Sequence, residues 1–560
     1  MSLHLKLANY FYKTRGVGKM YTKMIEDAVP GTSRERRVVD TVLSELKENT
    51  DWSKRIEIPI VKWENTCRVL VDEFERECRT LPYSLSAEID GKPRVVNDIR
   101  ELREERDLSD KIVVMRYPGR YIDLRKTIYT VLAKSPGALI LVTDKQGLLR
   151  INTVLSTPGF TYRPSVPVPI PVICVDKALG EMIKRANRVV VETKSSINDG
   201  EGMVVVAGIN GSGEDEIHVT SHHDHWFKGV GGSYVGLSAL LKLAERIKKD
   251  DASGLHNIVL ISYTARDIGD KLFTEYHYTW GERYLLKILD NKKKLENVKY
   301  AVAIGPIYHD RINAIAHPCF ERDLREMLRT GFIDKISRNH VFHESLPYIE
   351  KGIPAITLTT IDDIAFEIHN SNMDNEEIIN YEYLVDRVVE IVTKLIKLSI
   401  PDKGLVANTV EYVKSELEEI PLEAKISVSK LMDISMESPR RGLHALTRIG
   451  YGLFYSTCLD RDGHDFMYAG LFPWIELLHG TESVRKTSEC DEVILGDVEG
   501  YGIYLVKGAI RSLAVDYLFN KLTERYIHEL GNRVNRFIMQ FLCEKAICGE
   551  TSGVEKHNDR

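Results

Sequence analysis

The sequence predicts an α/β fold, a mostly parallel sheet sandwiched by helices. Three observations carry that expectation. From Met203 to about residue 400, short apolar runs alternate with amphipathic helical stretches, the rhythm of βα units. The runs at 204–207, 217–221, 258–263, 300–304 and 355–359 have strand length and are rich in β-branched residues. Residues 235–249 and 381–398 read as helices between or after them, the first with Leu237, Leu240, Leu241 and Ala244 on one face. His222 ends the strand at 217–221, and sites in open α/β sheets lie at the carboxyl ends of strands.

The other elements follow in order. Residues 34–48 predict an amphipathic helix. Thr32 or Ser33 is its N-cap, and Val38, Val39, Val42, Leu43 and Leu46 form its stripe. Residues 63–79 read as a second helical stretch, closed by Leu81-Pro82-Tyr83-Ser84. Cys67 and Cys78 would lie about 16 Å apart along such a helix and could not pair. From there to about 195 the texture changes. Short runs at 112–115, 138–142 and 168–173 surround one helix near 122–133, which predicts a separate β-rich module inserted at 62–195. Its run PSVPVPIPVICV is too proline-rich to be a central strand throughout. The α/β domain would then comprise 1–61 and 196–400. After Pro401, residues 403–420 and 508–545 read as helices around a Gly/Asp-rich middle, giving a C-terminal helical domain at 401–560. The tail at 549–560 reads as disordered.

Composition sets bounds. A chain of 560 residues is too long for one ordinary domain. Its 43% hydrophobic and 28% charged content is that of a globular protein, and a net charge of −6 argues against a general nucleic-acid binder. No apolar run is long enough for a transmembrane helix, and the N-terminus lacks a signal-peptide core, so the expected compartment is the cytoplasm. The eight cysteines form no CxxC and no zinc-finger spacing, and they read as reduced, partly buried thiols.

The chemistry-bearing stretch is IHVTSHHDHWFKGVGGSYVGLSALLKLAERI, residues 217–247. His-x-Asp at a strand end suits a metal: the His222 imidazole binds and the Asp224 carboxylate orients it. His223 and His225 flank it and strengthen the metal reading. Other motifs are weak. The glycine-rich run at 208–213 lacks the Lys-Ser/Thr of a phosphate loop and reads as a hairpin turn. Ser233 lacks the spacing of a hydrolase nucleophile elbow. Glu411, Glu416, Glu418 and Glu419 read as solvated surface charge.

This layout resembles the co-catalytic di-zinc aminopeptidases, metallopeptidase family twenty-eight, which include glutamate carboxypeptidase and the zinc-free transferrin receptor. Pro30-Gly31-Thr32-Ser33 resembles the family's lead-in to its first helix, and Leu346 to Ala355, LPYIEKGIPA, resembles its Gly-Ile-Pro-Ala segment. KIVVMRYPGR and AKSPGALILVTDKQG resemble a protease-associated domain, and the C-terminal region resembles the helical dimerisation domain of the carboxypeptidase branch.

The resemblance implies a ligand set, and the chain keeps only part of it. His222, Asp267 and His369 stand at ligand positions, with Asp224 as the orienting carboxylate. The bridging aspartate position holds Gly232, flanked by Gly231 and Ser233. The general-base position holds Arg266, which stays protonated and cannot accept a proton. The third carboxylate position holds Gly305, with His309 and Asp310 just beyond as substitutes. No residue is assigned a catalytic role. Loss of a general base alone costs a factor of about 10² to 10⁴. The reading is a zinc aminopeptidase-like protein with a degenerate site, binding one zinc ion or none rather than two. It would act as a binding or scaffolding homodimer toward a peptide or protein ligand, with no nucleic acid and no membrane. The alternative is an active metallo-aminopeptidase with rearranged ligands, drawing on His223, His225, His309 or Asp310.

Overall fold

The computed structural model describes residues 26–398 apart from 120, 154–166, 251–255, 272–278, 339–342 and 361–366. It also describes residues 402–417, helical pieces between 436 and 447, and four strands between 456 and 506. The strands in chain order are β1 (Trp52–Val71), β2 (Phe74–Glu77), β3 (Arg79–Thr80), β4 (Ala87–Gly91), β5 (Pro93–Val95), β6 (Ile112–Arg116), β7 (Ala138–Val142), β8 (Val172–Val175) and β9 (Val189–Ile209). They continue with β10 (Glu216–His222), β11 (Asn257–Tyr263), β12 (Val298–Ile304), β13 (Asn313–Ala316), β14 (Lys335–Arg338) and β15 (Ala355–Thr359).

A 10-stranded sheet runs β14-β13-β15-β12-β10-β11-β9-β1-β2, with β4 on β9. Its centre is parallel: β10 pairs in parallel with both β11 and β12, and β12 with β15. Its flanks are antiparallel, at β9–β11, β1–β9 and β13–β15. Alternation along the central strands sends Ile217, Val219, Ile258 and Leu260 to the main core, beside Val38, Val42, Leu240 and Val388. That face carries the helices Ser33–Asn49, Val235–Asp250 and Tyr381–Ile396. The opposite face buries Val259, Ile261 and Tyr263 with Leu285 of the helix Trp280–Asn291. The sheet therefore lies between two helical layers, as an α/β sandwich.

Residues 63–79 are a correction to the sequence reading, because they form no helix. Trp63 to Val71 continue β1, and β2 folds back on it with Arg68 opposite Glu77. Apolar residues at 63, 67, 70, 71, 74 and 78 fit a helical period, but 63, 67, 69 and 71 fit a strand period equally well. The 20-residue ladder of β1 against β9 settles the matter, since it pairs the facing backbone groups of β1 along its whole length. Asp72 makes the turn at φ 55°, a left-handed conformation that aspartate tolerates. The hairpin also overturns the cysteine expectation. Cys67 and Cys78 face each other across it, Cα to Cα 5.3 Å, and are disulfide-bonded. Cys174 and Cys319 are free and buried.

The β1–β9 ribbon carries a second sheet, ordered β3-β8-β7-β6-β5 and parallel from β5 to β8. Val69, Val71, Val189 and Val191 of the ribbon pack on Ile112, Val114, Ile140 and Ile173 of that sheet. Lys62 and Asn198 are register partners in the middle of this ribbon, whose far half, from there to Val71 and Val189, still belongs to the ten-stranded sheet.

The C-terminal region begins with the predicted helix, at Asp402–Leu417. The stretch beyond it holds a four-stranded antiparallel sheet that the sequence did not suggest, made by Ser456–Leu459, Phe466–Ala469, Glu492–Leu495 and Ile503–Val506. The expected helix at 508–545 and the tail lie outside the described residues. Among the described residues no helix is long and apolar enough to cross a membrane.

Candidate functional site

The parallel strands β10, β11, β12 and β15 end on one edge of the sheet. That edge places His222, the loop holding Arg266 and Asp267, Gly305, and the loop holding His369 on the same side. Arg266 lies near all three ligand candidates. It touches Asp267 directly, and its charge helps to lower the pKa of both His222 and His369. Arg266 is thus within electrostatic reach of His222 and His369 and in contact with Asp267.

His222 is 4% exposed. Its Nδ1 donates to the carbonyl oxygen of Asp224 at 2.9 Å, while the Asp224 carboxylate is 3.8 Å away. A carbonyl can only accept, so Nδ1 carries the proton and Nε2 the lone pair. That Nε2 has no hydrogen-bond partner. Burial, reinforced by Arg266, pushes the imidazole down to about 3. It is a neutral base with an unused lone pair.

The Asp224 carboxylate turns instead to the loop after β11 and accepts the Arg266 backbone N–H at 3.0 and 3.2 Å. Burial, with the charges of Asp267 and Glu35, raises its pKa well above the usual carboxylate range. The Arg266 side chain is 8% exposed. Its Nε and Nη2 donate to Glu344 Oε1 at 3.0 and 2.8 Å, and its Nη1 donates to Asp267 Oδ1 at 2.5 Å. Burial works against this charge, but Asp267 and Glu344 outweigh it and hold the guanidinium protonated.

Gly232 and Gly305, where the resemblance expects carboxylates, each face a carboxylate from elsewhere. A Cβ at Gly305 would lie 2.7 Å from Glu344 Oε2, and a Cβ at Gly232 would lie 2.9 Å from Asp374 Oδ2. Asp374 accepts the backbone N–H groups of Gly231 and Gly232 at 2.6 and 2.9 Å, at the π-helical turn that leads into the helix Val235–Asp250. Burial still lifts its pKa to about 7. His369 Nδ1 is hydrogen-bonded to Tyr308 Oη at 2.6 Å, and burial followed by Arg266 pushes this imidazole to about 3.

The other candidates are placed elsewhere. His223 points away from His222: its Nε2 donates to Glu35 Oε1 at 3.3 Å and its Nδ1 accepts from Ser262 Oγ at 2.8 Å. His225 donates from Nδ1 to the His223 carbonyl and rests against the Tyr234 ring, centroids 4.8 Å apart. Asp310 is exposed, and His309 Nδ1 accepts the backbone N–H of Arg311 in the same turn. Glu344 is the site residue that sequence reasoning missed. It lies beside the recognised segment starting at Leu346, and a buried Arg266 requires a buried carboxylate partner. Those two facts together were the available signal.

Among the described residues, no three His, Cys, Asp or Glu side chains are grouped so as to hold a metal ion. The arrangement is consistent with one zinc ion or none rather than two. A second cation would have to enter beside Arg266 with no bridging carboxylate to screen the repulsion.

No protein-family model and no curated protein matches the sequence. Solved structures do match. A zinc aminopeptidase from Bacillus subtilis aligns with a TM-score of 0.51 at 15% identity, over 69% of this chain and 96% of that one. A peptidase M28 precursor from Shewanella amazonensis aligns with a TM-score of 0.53 at 14% identity, over 68% and 91%. The chain has the fold of the zinc aminopeptidases. At such identity the likeness is one of architecture, and function has to be argued from the site.

Proposed function

We propose that this chain is a catalytically silent relative of the zinc aminopeptidases, acting as a binding or scaffolding protein toward a peptide or protein ligand. One observation carries the reading. The position expected to hold the general base holds Arg266, buried and tied to Asp267 and Glu344. A guanidinium cannot take a proton from an attacking water at any ordinary pH. Its charge also opposes a divalent ion at His222 or His369, whose basicity it already depresses. Asp267 is half committed to the same guanidinium, so the best surviving carboxylate ligand is engaged as well.

The remaining assignments belong to the same reading. The sheet on the far half of the β1–β9 ribbon serves as a protease-associated-like module, inserted at 62–195. The region 401–560 mediates a homodimer. Aminopeptidase turnover on aminoacyl-naphthylamide substrates, with zinc or cobalt added and then chelated, is the direct test. The expected result is no metal-dependent turnover above background. Chelator-sensitive turnover of about 1 to 10³ s⁻¹, ordinary for an enzyme, sinks the proposal. The free lone pair of His222 is the one observation that favours an active alternative with rearranged ligands, and the same assay decides between them.

A further inference from the structure

We infer that the Cys67–Cys78 bond is a redox clasp that sets how firmly two loops of the candidate site are held, the loop after β10 at 223–229 and the loop after β11 at 264–271. The inference goes beyond the silent-site reading and does not depend on it. Three features support it.

The first is where the bond lies. It joins β1 to the end of β2 one step beyond the Arg68–Glu77 pair, with Cα atoms 5.3 Å apart. At that point the chain leaves the ten-stranded sheet and enters β3 of the second sheet, where Arg79 stands opposite Cys174. All four residues of β2 are exposed, and the strand lies at the edge of its sheet. Little apolar burial therefore holds this hairpin shut, and two strands without further packing are marginal in water. The covalent link fixes the point from which Arg79 to Tyr83 set out.

The second is the short path from the bond to both loops. Arg79 follows Cys78 directly. Its Nη1 donates to Asp27 Oδ2 at 3.0 Å, and its guanidinium lies over the Phe227 ring, 4.9 Å from the centroid. Asp27 Oδ1 accepts the Phe227 backbone N–H at 2.8 Å, and the Asp27 N–H returns to the Phe227 carbonyl at 2.8 Å. Five residues after Cys78, the buried Tyr83 Oη accepts the Gly269 backbone N–H at 2.8 Å. The Tyr83 ring meets Trp63 edge-on, and Trp63 meets Trp226 in the same way. One strand of five residues thus buttresses Phe227 in the first loop and Gly269 in the second.

The third is backbone strain at the anchors themselves. Asp27, Tyr83, Phe227 and Ala265 have φ of 52°, 64°, 52° and 59°. Left-handed backbone is costly for aromatic residues and persists only where the surroundings over-determine it. Slackening the strand from Arg79 to Tyr83 releases Phe227 and Tyr83 toward ordinary backbone, and the two loops loosen with them.

The opening step is thiol–disulfide exchange. Cys78 is 7% exposed, whereas Cys67 is half-buried between the exposed Thr66 and Arg68, so a dithiol reductant attacks the Cys67 sulfur. The Sγ–Sγ bond breaks and Cys78 leaves as a thiol. The second thiol of the reductant then displaces Cys67, and the reductant departs as its own disulfide. Two electrons and two protons pass from the dithiol to the two cysteines.

The test is hydrogen exchange of the full chain, read by mass spectrometry on peptides spanning 223–229 and 264–271. It compares wild type, Cys67→Ser/Cys78→Ser, Tyr83→Phe and Arg79→Met, each with and without dithiothreitol. Reduced wild type should exchange at least about fivefold faster in both loops, with the core helix Val235–Asp250 unchanged. The double variant should show the reduced rate whether or not dithiothreitol is present. Tyr83→Phe should speed exchange at 264–271 alone, and Arg79→Met at 223–229 alone, with the bond still closed. If the double variant does not fold, the wild type and the two single variants decide. The inference is overturned if reduction leaves both loops unchanged, or if exchange rises equally throughout the chain. It is also overturned if dithiothreitol acts as strongly on the double variant, or if neither single variant loosens its loop. Aminopeptidase turnover tests the silent-site reading separately, and neither result decides the other.

Discussion

His222 and His223 are neighbours in sequence and have opposite surroundings. His223 is completely engaged: Ser262 donates to one nitrogen, and the other donates to Glu35. Glu35 in turn accepts from Thr264 Oγ1 and from the backbone N–H of Gly31 at 2.5 Å, and its own N–H is capped by Thr32. That network fastens the first helix to the ends of β10 and β11. His222, on the other side of the strand, holds one hydrogen bond and an orphaned nitrogen. The difference teaches how to tell a structural histidine from a site histidine. A histidine that serves packing has both nitrogens satisfied, because an unpaired buried polar atom is costly. A histidine left with an open lone pair beside charged neighbours marks a place where the fold keeps room for chemistry.

The largest expected effect lies on the His222 side. Glu344→Ala leaves Arg266 buried with only Asp267 to answer it, and should destabilise the protein by about 3–5 kcal/mol. Urea unfolding measures it. A loss below about 1 kcal/mol would mean that the guanidinium finds water and is not clamped as described.

Acid comes next. His222, His317 and His343 are buried, and burial holds each near a pKa of about 3 against an ordinary 6.5. In the unfolded chain they take up protons below about pH 6.5, while in the folded chain they stay neutral. The stability they confer is therefore complete above pH 6.5 and is lost as pH falls toward 3, at an upper limit of about 1.4 kcal/mol per pH unit for each. Asp374 works in the opposite sense. Its raised pKa of about 7 gives stability that is complete below the ordinary aspartate value of 3.8 and fades as pH rises through 7. The net expectation is weakening from pH 6.5 downward, with His222→Ala flattening the slope. A stability profile independent of pH between 4 and 6.5 would contradict the neutral buried imidazoles.

His223→Ala should cost about 1–3 kcal/mol, since it strips a donor from Glu35 and an acceptor from Ser262, both buried. His222→Ala should cost about 1 kcal/mol, the smallest effect of the set, because one bond is lost and the unsatisfied nitrogen leaves with the ring. If the two variants reverse this order in urea unfolding, the structural and site roles have been assigned to the wrong histidines.

Much of the fold was legible because its signals are local. The strand runs at 217–221, 258–263 and 300–304, the helix at 235–249 and the helix at 34–48 all lie where apolar periodicity put them. The placement of His222 at a strand end was legible for the same reason. Residues 63–79 were not, because their apolar pattern fits two periods and only the distant β9 decides between them. The Cys67–Cys78 bond followed that error, since a hairpin brings together what a helix would separate. Glu344 was hidden because its role depends on a residue 78 positions away.

By itself the sequence determined the α/β rhythm, the strand that ends in His222, and the absence of carboxylates at 232 and 305. Those properties are written in residue identity and in spacing along the chain. Only the tertiary structure decided that Arg266 turns inward between Asp267 and Glu344, that Asp374 lies against Gly232, and that His223 belongs to the framework while His222 belongs to the site. The reason is the range of the forces. Backbone propensity and apolar period act over a few residues, whereas burying a charge forces a search for its counter-charge across the whole fold, and the chain finds it wherever packing brings one within reach.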